Sequence, residues 1–318
     1  ESHAASFALL VYISAWIKLH EPAAFLAALL NSQPMGFYSS SQLVQDAKRH
    51  QVEVRPVDVT ISDWDCALEE MTQEPAENGA STRQPAVRLG LRLLKGLAGG
   101  AVDRIADARA MRPFDDIDDL KRRAELSPED LHALARANAL VSLSGHRRQA
   151  AWQVAGMLTM PALLKDAPIE EVPIVLPQAS EGQEILADYA NVGLTLNRHP
   201  LALLRKQLIK MNLSTALEMK SFPDRKLART TGLVTVRQRP QTAKGTLFVT
   251  LEDETGNTNV IIWPALLEKQ RKEILNARLM TVYGIWQRVG TVTHLVAKRV
   301  VDHSAMLGKL SVGSRNFH

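Results

Sequence analysis

The 318-residue sequence has one cysteine, Cys66, which excludes an internal disulfide and any zinc site built from several cysteines. A reducing compartment, the cytoplasm, is the expected location. Long apolar runs are missing too. The longest, Ala4 to Ile17, is interrupted by Lys18, His20, Glu21 and Pro22 before it reaches the ~18–20 residues a bilayer requires. A buried helix is expected there, and no membrane partner. No basic stretch precedes an apolar core and cleavage site, so no signal peptide is visible. The opening Glu1-Ser2-His3-Ala4, without an initiator Met, reads as a cut inside a larger protein. No Gly-Lys-Ser/Thr follows the glycine-rich stretch, and neither a nucleophile elbow nor an HExxH pair occurs, which removes P-loop, hydrolase and zinc-protease chemistry.

Metal-dependent phosphoryl transfer requires carboxylates converging on two cations about 4 Å apart. Three acidic clusters exist: Asp63-Trp64-Asp65, Asp115 to Asp119, and Glu252-Asp253-Glu254. The second suits a helix start, where acids offset the dipole, and the third a hairpin turn. Asp63 and Asp65 are left as the only candidates. No catalytic residue and no metal ligand is assigned, and no complete active site is expected in the chain.

What is present is an ordinary globular composition, 46% hydrophobic and 23% charged, long enough for two or three domains. The net charge of +4 is unevenly placed: residues 83–148 carry 13 Lys and Arg against 9 Asp and Glu, and residues 229–300 carry 11 against 5. Two basic modules are the distribution expected of two nucleic-acid footprints.

The first module centres on LGLRLLKGLAGGAVDRIADAR, Leu89 to Arg109. Leu89, Leu91, Leu93, Leu94 and Leu97, mixed with Arg88, Arg92 and Lys95, predict a short amphipathic helix that Gly96 ends. Gly99 and Gly100 permit positive φ, so the chain can reverse before Ala101, Ile105 and Ala108 resume helical spacing. Such a hairpin leaves N–H groups unpaired at a helix start, where the dipole is positive, and binds phosphate without reading a base. An ordinary helical hairpin with a glycine cap is the other reading. A second unit follows through Ile117, Leu120 and Ala124, then Ser127-Pro128-Glu129-Asp130, a strong helix start, and Leu131, Leu134, Ala135 and Leu140. Two hairpins in tandem, 88–109 and 117–140, strengthen the backbone-phosphate reading, and Arg104, Arg147 and Arg148 add basic character.

Upstream, residues 1–71 read as apolar helices with a short extended segment at Val52 to Val59, and 72–84 as a linker rich in Pro, Asn, Gly, Ser and Thr. Downstream of 85–150, residues 151–228 form a proline-containing connector with helices. Gln183, Leu186 and Tyr189 loosely resemble a sliding-clamp-binding peptide, but a packed helical face is favoured. From Thr231 the period becomes two: Leu233 to Val236, Thr246 to Leu251 and Thr258 to Trp263 as strands, a helix over Pro264 to Leu275, then strands Leu279 to Trp286 and Thr291 to Val301. Three strands, a helix and two strands over 229–302 is the order of an OB-fold barrel, followed by a tail, 303–318. Arg237, Arg239, Lys244, Phe248, Trp263, Trp286 and Arg288 are its candidate cations and stacking platforms, with barrel core the alternative for Trp263 and Trp286.

The opening ESHAASFALLVYISAWIKLHEPAAFLAALLNSQPMGFYS closely resembles the fingers segment of the bacterial C-family DNA polymerases, and the resemblance runs through the tandem helix-hairpin-helix and the barrel. NSQPMGFYSSSQLVQDAKRH, DYANVGLTLNRHP and the terminal SRNFH resemble the damage-inducible, error-prone branch. The resemblance implies a multidomain α+β fragment: helical fingers, tandem helix-hairpin-helix, then a C-terminal five-stranded OB-fold. It implies a DNA-directed DNA polymerase in translesion synthesis, working with a Y-family-like partner and the sliding clamp. Its Mg²⁺ ligands would lie outside this chain. DNA, as primed template and single strand, is the implied partner. Ser2 and His3 match the nucleotide-facing fingers motif, and Gly96, Gly99 and Gly100 would grip duplex backbone, although Leu97-Ala98-Gly99-Gly100 departs from the commoner Gly-hydrophobic-Gly pattern. The alternatives are a non-catalytic protein-interaction module, or a fragment of the replicative DNA polymerase III alpha subunit.

Overall fold

A computed structural model describes residues 2–35, 38–70, 84–157, 174–308 and 315–317, so the expected linker falls mostly outside the described residues. The chain forms two compact units, Glu1–Leu196 and Asn197–His318.

In the first unit, α1 (Ser2–His20) leads into α2 (Pro22–Asn31), where Pro22 occupies the first turn and Ala23, Leu26, Ala27 and Leu30 are buried. A capping box between Ser39 and Gln42 starts α3 (Ser40–Arg49). Short strands β1 (Val54–Arg55), β2 (Ala67–Glu69) and β3 (Ala86–Arg88) make a sheet in the order β1-β3-β2, with β3 parallel to β1 and antiparallel to β2. Helices α4 (Gly99–Met111), α5 (Ile117–Arg123), α6 (Pro128–Arg136), α7 (Val141–Ser144), α8 (Arg147–Gly156) and α9 (Glu181–Asn191) complete it. One core runs from Ala23 to Val154 and takes in Leu194, so residues on both sides of the expected linker share it.

Two expectations are corrected here. Leu89 to Leu97 is not a helix: after β3, only Leu91–Leu93 forms a 3-10 turn. Arg88 donates to Glu69 at 2.8 Å, Leu89 N–H donates to the Arg55 carbonyl, and Gly90 sits so close to β2's approach that a Cβ would lie 2.4 Å from Asp65 carbon. Those sheet contacts override helical periodicity. The second correction is α1, expected to be buried. Phe7, Leu10, Tyr12, Ile13 and Trp16 are all exposed, because no other described element covers them.

The second unit begins with α10 (Pro200–Lys210) and α11 (Ala216–Lys220), followed by β4 (Leu227–Gln238), β5 (Leu247–Asp253), β6 (Gly256–Ile262), α12 (Pro264–Lys269), α13 (Arg271–Asn276), β7 (Leu279–Val289), β8 (Val292–Asp302) and β9 (Arg315–Phe317). The ring β4-β5-β6-β8-β7-β4 closes because the long β4 pairs with β7 over 227–233 and with β5 over 233–238. This is a five-stranded OB-fold barrel, with β9 added in parallel to β4. A bulge between Val234 and Val236 lets β4 turn the corner, and Gly284 allows β7 to approach β8, since a Cβ there would lie 2.2 Å from the Val296 carbonyl oxygen. The expected helix over 264–275 is two short helices meeting at Gln270. Arg205 of α10 holds Glu254 at the β5–β6 turn through two bonds, one of them 2.7 Å, so α10 is part of the barrel unit.

Candidate nucleic-acid interface

Gly96 turns the chain at φ +86°, as its position predicts. Gly99 and Gly100 instead take ordinary helical φ as the first two residues of α4. Their use is different. Ala98, the residue before α4, is extended and offers no side-chain cap, no acid occupies the first turn, and neither glycine N–H has a partner. Both glycines are exposed. Two open N–H groups thus lie at the positive end of a 13-residue helix. Trp64, 41% exposed, stands beside them, with its ring 3.9 Å from where a Gly99 Cβ would be. The sequence carried no signal for that neighbour.

The second hairpin has less of an opening. Its turn residue is Glu125 at φ +47°, Pro128 has no N–H, and the Asp130 N–H is taken by Ser127 in a capping box, which leaves a single open donor at Glu129 in the first turn. Asp130 also accepts from the Ala98 N–H at 3.3 Å, so the second unit positions the first. Alongside it, Asp119 is buried among Arg112, Arg122 and Arg123. Burial pushes its carboxyl up, but hydrogen bonds from Arg123, the Asp115 N–H, Arg122 and Arg112 outweigh this and bring it to about 2.

Most basic side chains expected to meet DNA in this unit are engaged within it. Arg92 donates to the Asn31 carbonyl and to Asp65 at 2.6 Å; Lys95 donates to the Ala190 carbonyl at 2.9 Å and to that of Tyr189; Arg104 donates to the Ala124 carbonyl at 2.9 Å. Arg147 is buried against Glu184 and Asp188, and Arg148 donates to the Pro177 carbonyl. Arg92, Lys95 and Arg104 thus fasten the carboxyl ends of helices, where carbonyls lack intrahelical partners. Asp65 pairs with Arg92 and Asp63 with Arg109, and among the described residues no three His, Cys, Asp or Glu converge to hold a metal. Ile185 and Tyr189 of α9 are buried, which makes the clamp-like stretch a packed face. At the chain start, the exposed His3 ring meets Phe7 edge-on at 4.4 Å.

On the barrel, Arg239 and Lys244 are exposed in the β4–β5 loop, Phe248 faces outward on β5 at 37% exposure, and Trp263, 53% exposed, follows β6. Two expected contact residues are corrected. Arg237 is 5% exposed because it caps α13, donating to the Ile274 carbonyl at 3.0 Å and to that of Ala277, and burial lowers its pKa. Trp286 is 3% exposed and fills the core beside Leu295. Arg288 is exposed, with its guanidinium donating to the Lys220 carbonyl at the end of α11.

A helix-hairpin-helix motif model matches residues 51–150, which includes the sheet as well as the hairpins, and an OB-fold nucleic acid binding domain model matches residues 228–302. Proteins named error-prone DNA polymerase match the whole chain: from Bordetella parapertussis at 56% identity, from Aromatoleum aromaticum at 57% and from Ralstonia nicotianae at 52%. The chain is similar over its whole length to one part of these error-prone DNA polymerases. It spans about 30% of the length of the relatives it matches, 30% of the Bordetella protein and 29% of the Aromatoleum one. The chain holds the hairpin and barrel modules and, among its described residues, no helix long and apolar enough to cross a membrane.

Proposed function

We propose that this chain is the DNA-gripping segment of an error-prone DNA polymerase, with its first hairpin on duplex backbone and its barrel on the single-stranded template. The observation that carries the reading is the pair of exposed, uncapped N–H groups of Gly99 and Gly100. Phosphate oxygens accept such hydrogen bonds irrespective of base, which suits an enzyme that must hold any sequence. Trp64 lies where it can pack on the sugar-phosphate edge. On the barrel, Phe248 and Trp263 offer faces for bases, and Arg239 and Lys244 neutralise the backbone.

The parent's role in translesion synthesis, its Y-family-like partner, the sliding clamp and the Mg²⁺ ions belong to this reading as implications of family. His3, with its exposed imidazole, would meet the incoming nucleotide's sugar and help to exclude ribonucleotides. The whole enzyme with His3→Ala should then incorporate ribonucleotides more often, and an unchanged frequency removes that role.

Fluorescence anisotropy on a primed template, a blunt duplex and a single strand tests the grip. Tightest binding to the primed template is expected, with affinity falling steeply between ~50 and 200 mM salt. Gly99→Pro is the decisive variant. Proline is at home in the first helical position, and Ala98 is already extended at ψ 137°, so the variant removes one donor and keeps the fold. Binding indifferent to salt and to Gly99→Pro would return the chain to the protein-interaction reading.

A further inference from the structure

The outward face of the barrel away from β5 and β6 carries an arrangement that the loop-centred reading does not use. Register places Arg229 of β4 beside Tyr283 of β7, and Tyr283 beside Arg299 of β8. Three adjacent strands thus hold an arginine, a tyrosine and an arginine in one row, the two guanidinium stems about 10 Å apart by strand spacing. The Arg299 guanidinium lies 5.6 Å from the Tyr283 ring centroid, which makes a flat cation–aromatic platform. Arg229 and Arg299 are exposed, and so is Lys298 at the bulge between them and the next pair. Among the described residues, none of these three side chains has a hydrogen bond or an ion pair. That sets them apart from the basic residues of the hairpin unit, which are fastened to carbonyls.

A second row joins this face to the first. The pairs Phe248↔Ile261, Ile261↔Val296, Val296↔Ile285 and Ile285↔Leu227 run round all five strands on the outward side. Leu227, at its end, is 79% exposed. The row is apolar throughout, half-buried at Ile261 and Ile285 and buried at Val296, and reaches from the Phe248 platform to the neighbours of Tyr283.

We infer that the Arg229–Tyr283–Arg299 row is a second binding site for single-stranded nucleic acid, so that a strand leaving the β5–β6 face follows the apolar row to the β4–β7–β8 face. The inference rests on the reading of the barrel as a single-strand binder. Single-stranded nucleic acid matches the row in charge and in shape: anionic groups for the two unpaired guanidiniums and Lys298, and a flat π-face for Tyr283 and the apolar residues between. An acidic peptide would satisfy the charges but leave the aromatic platform unused.

The test uses the whole chain and an oligo-dT of about 20 nucleotides, longer than one barrel's usual footprint. Arg229→Gln with Arg299→Gln should weaken binding about tenfold and reduce the slope of log affinity against log salt by about 1.4, two phosphates' worth. Tyr283→Leu should cost about tenfold with the slope unchanged, and Tyr283→Phe should restore wild-type affinity, because stacking needs only the ring. Coincident thermal unfolding of all variants is expected, since the arginines are unpaired and exposed. Wild-type affinity and slope in the double arginine variant overturn the inference. If Phe248→Ala with Lys244→Gln lowers affinity while the arginine variant does not, the barrel still binds a single strand and only the second site falls. If the unaltered chain does not bind the oligonucleotide, both readings fall.

Discussion

Asp119 shows how one buried carboxylate can fix a local fold. Three guanidiniums and a backbone N–H surround it, and the result is a carboxyl held at about 2 instead of 3.8. A group whose pKa is lowered by folding contributes stability that is fully present above its ordinary value and is lost as pH falls through its folded value. Asp119→Asn should therefore destabilise the hairpin unit at neutral pH by roughly 2–4 kcal/mol, as expected when one partner leaves a buried ionic cluster. The deficit relative to wild type should shrink as pH drops from 3.8 toward about 2. Denaturant unfolding at pH 7 and pH 3 checks both parts. At the hairpin tip, Gly100→Ala is the counterpart of Gly99→Pro. Its Cβ would meet nothing closer than 3.7 Å and its N–H survives, so DNA affinity should hold while the helix gains about 0.5–1 kcal/mol. Lost binding in Gly100→Ala would contradict the N–H account, and unchanged melting would contradict the helix gain.

Among the elements, the barrel depends on two positions where a strand or a helix end meets its neighbour closely. Gly284→Ala drives a methyl into the Val296 carbonyl, 2.2 Å away, and β7 cannot yield without opening its pairing with β8. A loss of roughly 2–4 kcal/mol is expected on thermal or denaturant melting. Arg237→Met leaves the Ile274 and Ala277 carbonyls without their donor and should cost about 1–3 kcal/mol. Because Arg237 is buried, that variant should weaken DNA binding only in proportion to lost folding, which separates its role from that of Arg239. The element that stands apart is α1. Phe7, Leu10, Tyr12, Ile13 and Trp16 are spread round the helix among Ser6, Ser14, Lys18 and His20, yet they are exposed. Side chains of this kind are ones a helix ordinarily buries.

For the whole molecule, the relevant division is at Leu196 and Asn197, inside what reads in sequence as one connector. The Arg205–Glu254 pair, the Ala216 N–H on Asp253 at 2.7 Å and the Thr230 hydroxyl on the Ser214 carbonyl tie residues 197–220 to the barrel. A fragment of residues 197–318 should therefore melt well above one of residues 229–318, in which Glu254 and Asp253 lose those partners. Equal melting by circular dichroism would show that α10 and α11 add nothing.

Local chemistry was enough to place much of this fold in the sequence. Alternating residues, Gly-containing turns and the Pro264 helix start specify the barrel strands, because a period of two and turn chemistry are local signals. Ser127-Pro128 and the Gly96 turn are equally local. What only the tertiary structure decided was the fate of long-range partners. Leucine spacing predicts a helix at Leu89 to Leu97, but β1 and β2, distant in sequence, supply the hydrogen bonds that make it sheet and turn. Composition marks Arg92, Lys95, Arg147 and Arg237 as cations available to DNA, but each was claimed by a carboxylate or a helix-end carbonyl that no sequence window contains. Arg229, Tyr283 and Arg299 share a row only through β-register, and Trp64 reaches Gly99 only through packing. Charge and periodicity are properties of a segment; which charges remain free is settled by the partners the folded chain brings within hydrogen-bond distance.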